Sequence, residues 1–152
     1  MRQYNPSPQA LTDHLPARTL IVTGASGGIG LATSQLFNAH GANVVLADLP
    51  HTRAKTEEVV ARAFSHPARA VFVPVDITDW ESVRLLFDAA KGMFGEVHSV
   101  IANAGVMESR EVLDVEDVDK QGRLRECTEA SRVIDVNLKG TLNSMPPSPS
   151  FN

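Results

Sequence analysis

Three closely spaced glycines come directly after a short apolar run and are typical of a phosphate-binding turn. The apolar run is residues 19–23, and Gly24, Gly28 and Gly30 follow it. Gly24 allows a tight turn, Gly28 lets a phosphate approach the backbone, and Gly30 lets the next helix pack closely on the strand. Because the first N–H groups of a helix attract anions, this segment predicts a site for the pyrophosphate of a dinucleotide. Glycines in an ordinary turn are the alternative.

Asp48 could recognise the ribose next to that pyrophosphate. It follows a second apolar run, residues 44–47, and lies 18 residues after Gly30, where an acid accepts hydrogen bonds from both ribose hydroxyls. Because a carboxylate repels a 2′-phosphate, Asp48 favours NAD over NADP. Arg53 is the basic residue close enough to oppose this preference. An ordinary aspartate in a turn before Pro50 is the alternative.

These residues need elements that bring them to one edge of a sheet, and the chain alternates between such elements. Short apolar runs predict strands at 19–23, 44–47, 70–73 and 97–102. Apolar residues at helical spacing predict helices from Ile29 to a stop at Gly41, at 53–64, from Thr78 to near Gly95, and at 127–143. Strands alternating with helices form right-handed crossovers and a parallel sheet that is covered on both faces. The predicted fold class is therefore α/β, a three-layer, doubly wound parallel sheet of Rossmann type with the strand order 3-2-1-4.

Two local patterns make more detailed predictions about the helices. In the helix after the glycines, the apolar spacing predicts a buried face made of Ile29, Ala32, Thr33, Leu36 and Phe37. The segment 78–81 has the spacing of a capping box, with Thr78 as the residue that caps the next helix.

Composition argues against several classes of function. The sequence has 152 residues, one cysteine and a formal charge of −4, which disfavours a nucleic-acid or anionic-membrane partner and a disulfide framework. Aromatic residues make up only 5%, which disfavours the stacking of nucleobases on aromatic side chains. No apolar run approaches the length of a membrane span, and the five histidines show no metal-ligand spacing. We expect a cytoplasmic protein without a metal site.

Four motifs occur in order on the predicted elements. They are Thr23-Gly24-Ala25-Ser26-Gly27-Gly28-Ile29-Gly30, Asp76-Ile77-Thr78-Asp79 after the third strand, Asn103-Ala104-Gly105 after the fourth strand, and Asp135-Val136-Asn137-Leu138-Lys139-Gly140 on the last helix. Together they resemble the motifs of the short-chain dehydrogenases/reductases, and the resemblance covers about residues 19–143.

This resemblance implies a set of residues that bind NAD. They are Thr23, Gly24, Ser26, Gly27, Gly28, Ile29, Gly30, Asp48, Leu49, Asp76, Ile77, Asn103, Ala104 and Gly105. By the family pattern, Asp76 accepts a hydrogen bond from the adenine amino group and Ile77 contacts the ring. Asn103 steadies the central strand, and the backbone at Ala104 and Gly105 borders the cofactor. Simple turn caps are the alternative for Asp76 and Asn103.

The resemblance extends to one catalytic residue but not to the proton donor of the family. By the family pattern, Asn137 holds a water in a proton relay, while a hydrogen-bonded polar residue inside a helix is the alternative. The family also uses a Tyr-x-x-x-Lys pair, in which the tyrosine is the general acid/base and the lysine holds the nicotinamide ribose and lowers the pKa of the tyrosine. The sequence has one tyrosine, Tyr4, and the residue four positions later is Pro8. Ser144 and the serines after it stand in or beside a proline-rich tail and do not match the serine of the family.

The sequence divides into three predicted segments. We expect an N-terminal arm at 1–18, an NAD-binding Rossmann domain at 19–143 and a proline-rich tail at 144–152. The Rossmann domain is expected to be incomplete, because the sequence predicts only about four strands and the helix that follows them. The many charges at 108–126 predict a solvated loop with short helical turns within it.

The function that the resemblance implies is hydride transfer between NAD(H) and a secondary alcohol or ketone. Because the sequence has no Tyr-x-x-x-Lys pair, two alternatives stay open. One is a non-catalytic module that binds or senses a dinucleotide, and the other is a fragment that folds poorly. A fourth strand without a further neighbour also predicts self-association.

Overall fold

The structure, a computed structural model, describes residues 8–111 and 114–145. Its strands are β1 (Thr19–Thr23), β2 (Asn43–Asp48), β3 (Ala70–Pro74) and β4 (Ser99–Ile101). Its first helices are α1 (Pro8–His14), α2 (Gly28–Ala39), α3 (Arg53–Ala63) and α4 (Trp80–Phe94). The last helical run consists of α5 (Thr128–Ile134), a π-helical segment (Asp135–Gly140) and α6 (Thr141–Asn143). Short 3-10 turns at Pro50–Thr52 and Pro67–Arg69 precede α3 and β3.

The strands form one parallel sheet in the order β3-β2-β1-β4, which confirms the predicted topology. Every residue of β1 is buried, as expected for a strand that is covered on both faces. β4 is shorter than the predicted 97–102, and among the described strands it pairs only with β1. Pro74 ends the opposite edge strand, where its missing N–H leaves no gap inside the sheet.

Each face of the sheet carries its own apolar core, because successive side chains of a strand point to opposite faces. On one face, Leu20 and Val22 pack in a cluster with Phe64. On the other face, Ile21 packs in a cluster with Leu86 of α4. Helices therefore cover both sides of the sheet, and the three layers that the sequence predicted are present.

The buried face of α2 differs from the predicted one. Its buried residues are Gly30, Ser34 and Asn38. Of the predicted residues, Ile29 is 79% exposed and Leu36 is 48% exposed. The Asn38 side chain is satisfied because it donates to the carbonyl of His66 at 2.9 Å and accepts from its N–H at 2.8 Å. Phe37 is partly buried and packs against one of the two cores, so the apolar spacing predicted only part of the covered face.

The predicted N-terminal arm contains a helix, α1, that the sequence did not predict. The segment after α1 is attached to the domain, since Leu15 packs against one of the two cores and the Ala17 N–H donates to the Gly41 carbonyl at 3.0 Å. At the other end, the Ser144 N–H donates to the Gly140 carbonyl at 3.0 Å, so this residue of the predicted tail belongs to the last helical turn. The rest of the arm and tail, residues 1–7 and 146–152, lies outside the described residues.

The described residues of the charged segment between β4 and α5 are mostly exposed, as predicted, but they form a small hairpin and not the expected short helical turns. Val118 and Leu124 form an antiparallel bridge, and Gly122 occupies the turn with a φ of +75°. The Asp119 carboxylate accepts hydrogen bonds from the backbone and the guanidinium of Arg123, which lower its pKa. None of the helices in the described part of the chain is long and apolar enough to cross a membrane.

Candidate dinucleotide-binding site

A cavity of about 350 Å³ opens where the carboxyl ends of the strands meet. Its walls come from the turn after β1, the ends of β2 and β3, the turn after β4 and the last helical run. The lining residues are Gly24, Gly27, Ala47, Asp48, Leu49, Val75, Asp76, Ile77, Ala104, Gly105, Val106 and Val136. Ligands of open α/β sheets bind at this edge. The cavity therefore brings together eight residues of the predicted NAD-binding set.

The remaining predicted residues lie behind or beside this wall. Thr23 and Gly30 are buried, and Gly28 and Ile29 are exposed at the start of α2. A second cavity, of about 160 Å³, lies in the charged segment and shares no lining residue with the first. Among residues 8–111 and 114–145, no group of three or more His, Cys, Asp or Glu side chains could hold a metal ion.

Contacts inside the protein require glycine at one position of the turn after β1 and at one position in the first turn of α2. Gly24 has a φ of +66°, and a Cβ on it would lie 2.8 Å from the Cα of Ala104. A Cβ on Gly30 would collide with the carbonyl oxygen of Gly24 and would lie 2.6 Å from Nδ2 of Asn103. These two glycines therefore allow α2, the turn and the end of β4 to meet closely.

Gly27 and Gly28 face open space instead. A Cβ on either would have no atom within 4 Å, although the φ of +51° at Gly28 still favours glycine. Gly27 precedes α2, and no side chain caps this helix. The first N–H groups of a helix have no partner within the helix, so this end of α2 offers backbone donors and room for an anion.

Asp48 joins the glycine turn to the end of β2. Its Oδ2 accepts the Ser26 N–H at 2.9 Å, and its Oδ1 accepts the Leu49 N–H at 2.8 Å. The carboxylate is half-buried and lines the cavity. Since a carboxylate has about four acceptor positions, these two bonds fix its direction and leave it able to accept from ribose hydroxyls.

Two threonines that the sequence analysis missed support this corner of the site. The Ser26 hydroxyl lies 2.7 Å from that of Thr52 and 2.8 Å from that of Thr56. Thr56 is buried at 1% exposure, and its hydroxyl also donates to the Thr52 carbonyl at 2.9 Å. The sequence pattern that could have identified them is the pair Thr52 and Thr56, whose hydroxyls lie one helical turn apart shortly after Asp48.

Arg53, the arginine closest to Asp48 in the sequence, forms its contacts elsewhere. Its guanidinium forms an ion pair with Glu57 at 3.0 Å. The guanidinium carbon also lies 5.1 Å from the centre of the Phe72 ring, a cation–π contact. Both partners hold Arg53 along α3 and over β3.

Asp76 and Ile77 have partners within the protein as well as a place in the wall. Oδ1 of Asp76 accepts from the N–H and the hydroxyl of Thr78, at 2.9 and 2.7 Å. This oxygen therefore caps the turn, as in the alternative interpretation of Asp76. The side chain of Ile77 is 7% exposed. It packs so closely on Gly140 that a Cβ there would lie 2.6 Å from it.

Thr23 and Asn103 tie the end of β1 to the turn after β4. The Thr23 hydroxyl oxygen accepts the N–H groups of Asn103 and Ala104, both at 3.1 Å. Nδ2 of Asn103 donates to the carbonyls of Thr23 and Gly24, at 3.0 and 3.2 Å. Asn103 therefore bonds to the backbone at the end of β1 and in the turn that follows it.

Asn137 holds the turn after β4 through both atoms of its amide. Its Oδ1 accepts the Val106 N–H and its Nδ2 donates to the Val106 carbonyl, both at 2.8 Å. Its own carbonyl accepts the Thr141 hydroxyl at 2.8 Å. Asn137 lies in the π-helical segment, a local irregularity that is frequent at functional sites. Its role toward a water stays a prediction.

An ion pair between the buried Glu129 and the partly exposed Arg132, which the sequence analysis also missed, holds the same turn further along the chain. Glu129 is 6% exposed, and its Oε1 accepts the Ser109 N–H at 2.6 Å and Nη2 of Arg132 at 2.5 Å. The Arg132 guanidinium and the Ser109 N–H lower the pKa of Glu129 to about 2. The spacing of three residues between Glu129 and Arg132 was visible in the sequence, but their partners in the turn lie some 20 residues earlier.

The sheet order, the glycine turn at the end of β1 and the acid at the end of β2 are features of Rossmann-type α/β domains that bind dinucleotides. The short chain dehydrogenase family model matches residues 18–146. The chain belongs to this family, which confirms the resemblance seen in its motifs.

Several known proteins are similar to the chain over most of its length. It is 33% identical over 123 residues to 3-hydroxyacyl-CoA dehydrogenase type-2 from Homo sapiens, covering 81% of the chain and 44% of the relative. It is 38% identical over 124 residues to cis-4-hydroxycyclohexanecarboxylate dehydrogenase from Sinomonas cyclohexanicum, covering 81% and 45%. The structure of 3-ketoacyl-(acyl-carrier-protein) reductase from Brucella melitensis complexed with NADH superposes with a TM-score of 0.66 at 27% identity, covering 86% and 48%. The chain thus spans about half the length of these relatives.

Proposed function

We propose that the chain binds NAD(H) in the cavity at the carboxyl end of the sheet, as the cofactor-binding part of an oxidoreductase. The observation that carries this proposal is the Asp48 carboxylate, which lines the cavity and is oriented by the N–H groups of Ser26 and Leu49. When bound, NAD(H) supplies the acceptor or donor of a hydride. The NADH complex of the related Brucella melitensis reductase supports the same type of ligand.

The residues present fit such a dinucleotide. The open backbone at Gly27 and Gly28 would hold the pyrophosphate, and Asp48 would hold the ribose of the adenosine half. Asp76 and Ile77 line the cavity on the β3 side, so the adenine would lie next to them. Two further features are consistent with a bound dinucleotide. They are the uncapped start of α2 and the close packing that Gly24 and Gly30 allow.

We further propose a preference for NAD(H) over NADP(H). A 2′-phosphate would lie beside the Asp48 carboxylate, and like charges repel strongly in a partly desolvated site. A basic side chain could offset this repulsion, but Arg53 is paired with Glu57 and stacked on Phe72.

The proposed reaction is hydride transfer between NAD(H) and a secondary alcohol or ketone. The names of three relatives refer to a hydroxyacyl, a hydroxycyclohexanecarboxylate and a ketoacyl group. We also propose a cytoplasmic location, which the single cysteine of the sequence supports.

Calorimetric titration with NADH and NADPH tests the binding proposal. We expect tighter binding of NADH, and we expect Asp48→Asn, which keeps the shape of the side chain, to lose most of the discrimination. Asp88→Asn is the matched control, because Asp88 is an exposed acid on α4 that pairs with Arg84. Equal affinity of the unmodified chain for both cofactors would contradict the NAD preference, and binding of neither would contradict the proposed function.

A second candidate is a non-catalytic module that binds or senses a dinucleotide. The observation that favours it is the sequence itself, in which Tyr4 is the only tyrosine and no Tyr-x-x-x-Lys pair occurs. We therefore expect no turnover when the chain is assayed with NAD and a panel of secondary alcohols. Turnover that disappears in Asn137→Ala would contradict this expectation, whereas turnover insensitive to that substitution would indicate a contaminating dehydrogenase.

A further inference from the structure

The chain leaves β4 along one wall of the cavity, and the last helical run holds it there. We call residues 104–109 the β4 exit segment. Gly105 and Val106 of this segment line the cavity. Hydrogen bonds from Asn137 hold Val106, and Glu129 and Arg132 hold the part of the segment that follows.

Glu129 and Arg132 reach two positions of the β4 exit segment, Ser109 and Met107. Oε1 of Glu129 accepts the N–H of Ser109 at 2.6 Å and lies 3.2 Å from its hydroxyl. Nη2 of Arg132 donates to the carbonyl of Met107 at 2.7 Å while it pairs with Oε1 of Glu129 at 2.5 Å. One ion pair therefore fixes a backbone donor and a backbone acceptor of the same segment.

This arrangement is more specific than an ordinary ion pair on a helix surface. The Glu129 side chain is 7% exposed, whereas Glu81, which forms an ion pair of the same i,i+3 spacing with Arg84 on α4, is 60% exposed. Buried charged groups that are hydrogen-bonded on several sides restrict conformation more than exposed pairs do.

The sheet order decides which half of a dinucleotide this segment would meet. β1 lies between β2 and β4, and the glycine turn at its end would hold the pyrophosphate. Asp48 and Asp76 lie at the ends of β2 and β3, on the adenosine side. A dinucleotide that crosses the turn must therefore place its other half toward the end of β4, where Gly105 and Val106 form the wall.

We propose that Glu129 and Arg132 are positioning residues for the nicotinamide half of the cofactor. They hold the β4 exit segment in place before the cofactor binds, so that binding does not have to order this wall. This inference rests on the proposed function and assigns a role to two residues outside the predicted NAD-binding set.

Comparing NADH with ADP-ribose tests the inference, because ADP-ribose has the adenosine and pyrophosphate but lacks the nicotinamide. We titrate both ligands into the unmodified chain, Glu129→Gln and Arg132→Lys. Lysine keeps the charge but cannot donate to Glu129 and Met107 with a planar fork. In both variants we expect NADH to bind about tenfold more weakly and ADP-ribose to change by less than about twofold.

Glu81→Gln and Arg84→Lys are the matched controls, and we expect them to leave both affinities unchanged. An equal loss of affinity for both ligands in the Glu129 and Arg132 variants would overturn the inference, since it would indicate a general structural role. Unchanged affinities in both variants would overturn it too. If the unmodified chain binds neither ligand, the proposed function itself fails, which separates the two outcomes. If Glu129→Gln does not fold, the affinities of Arg132→Lys for NADH and ADP-ribose decide whether the inference holds.

Discussion

Individual glycines of this chain differ in what an added methyl group would meet. At Gly30 the methyl group would collide with the Gly24 carbonyl and approach Asn103, so we expect Gly30→Ala to lower the free energy of unfolding by about 1–3 kcal/mol. Gly92 is an exposed residue of α4 with open space around it. Gly92→Ala is therefore expected to raise the free energy of unfolding by about 0.5–1 kcal/mol. Urea denaturation of both variants checks this contrast, and a similar effect at the two positions would contradict it.

Glu129 makes a second prediction for a single residue, on the pH dependence of stability. Arg132 and the Ser109 N–H lower its pKa from 4.5 to about 2, so the folded state binds this proton less readily than the unfolded state. The stabilisation is complete above about pH 4.5 and is lost as the pH falls toward 2. We expect the difference in urea midpoint between the unmodified chain and Glu129→Gln to shrink between about pH 5 and pH 3. A difference that stays constant over this range would show that Glu129 does not titrate in this way.

The start of α4 gives a prediction for a whole element. Its cap is Asp79, whose side chain accepts the Glu81 N–H at 3.1 Å, and not Thr78 as the capping-box spacing predicts. Thr78 is turned away because its hydroxyl donates to Asp76. We expect Asp79→Ala to lower the free energy of unfolding by about 1 kcal/mol and Thr78→Ala to lower it by less. Thermal denaturation measures the loss of stability in both variants. A larger loss for Thr78→Ala than for Asp79→Ala would indicate that Thr78 caps the helix after all.

The elements show which parts of the fold can be predicted from the sequence. The strands and their order were predictable, because continuous apolar runs such as β1 have few other uses in a globular domain. The helix α1 was missed, since seven residues beside several prolines carry too little periodicity. The hairpin at Val118 and Leu124 was missed because, among so many charged residues, such short strands show no clear alternation of apolar and polar residues.

Within the site, the backbone glycines and Asp48 were predictable because each depends on local spacing. The partners of Asn137 and Glu129 were not. Their hydrogen bonds reach residues 31 and 20 positions earlier in the chain, and no local pattern encodes such contacts. Asn137 was singled out only through the family resemblance, which could not indicate that both amide atoms bind Val106.

At the scale of the whole molecule, apolar surface remains uncovered. Leu138 and Leu142, one helical turn apart on the last helical run, are 58% and 56% exposed, and β4 is an edge among the described strands. We expect the chain to self-associate, with a molar mass by light scattering that rises with concentration. The double substitution Leu138→Lys and Leu142→Lys should lower this mass. Leu85→Lys, on an exposed leucine of α4, is the control, and a monodisperse monomer at high concentration would contradict the expectation.

The contacts that hold the chain where the charged segment begins have a consequence for how this domain tolerates insertions. Asn137 and Glu129 fix the backbone at Val106 and Ser109, so the length of chain between Ser109 and α5 is uncoupled from the cavity. Doubling the length of a flexible loop costs only about 0.6 kcal/mol. An insert of about ten Gly and Ser residues at the hairpin tip, after Lys120, should therefore leave NADH affinity unchanged in calorimetry. The same insert after Val106 should abolish binding, which would make the hairpin the place where this domain can acquire new recognition sequences.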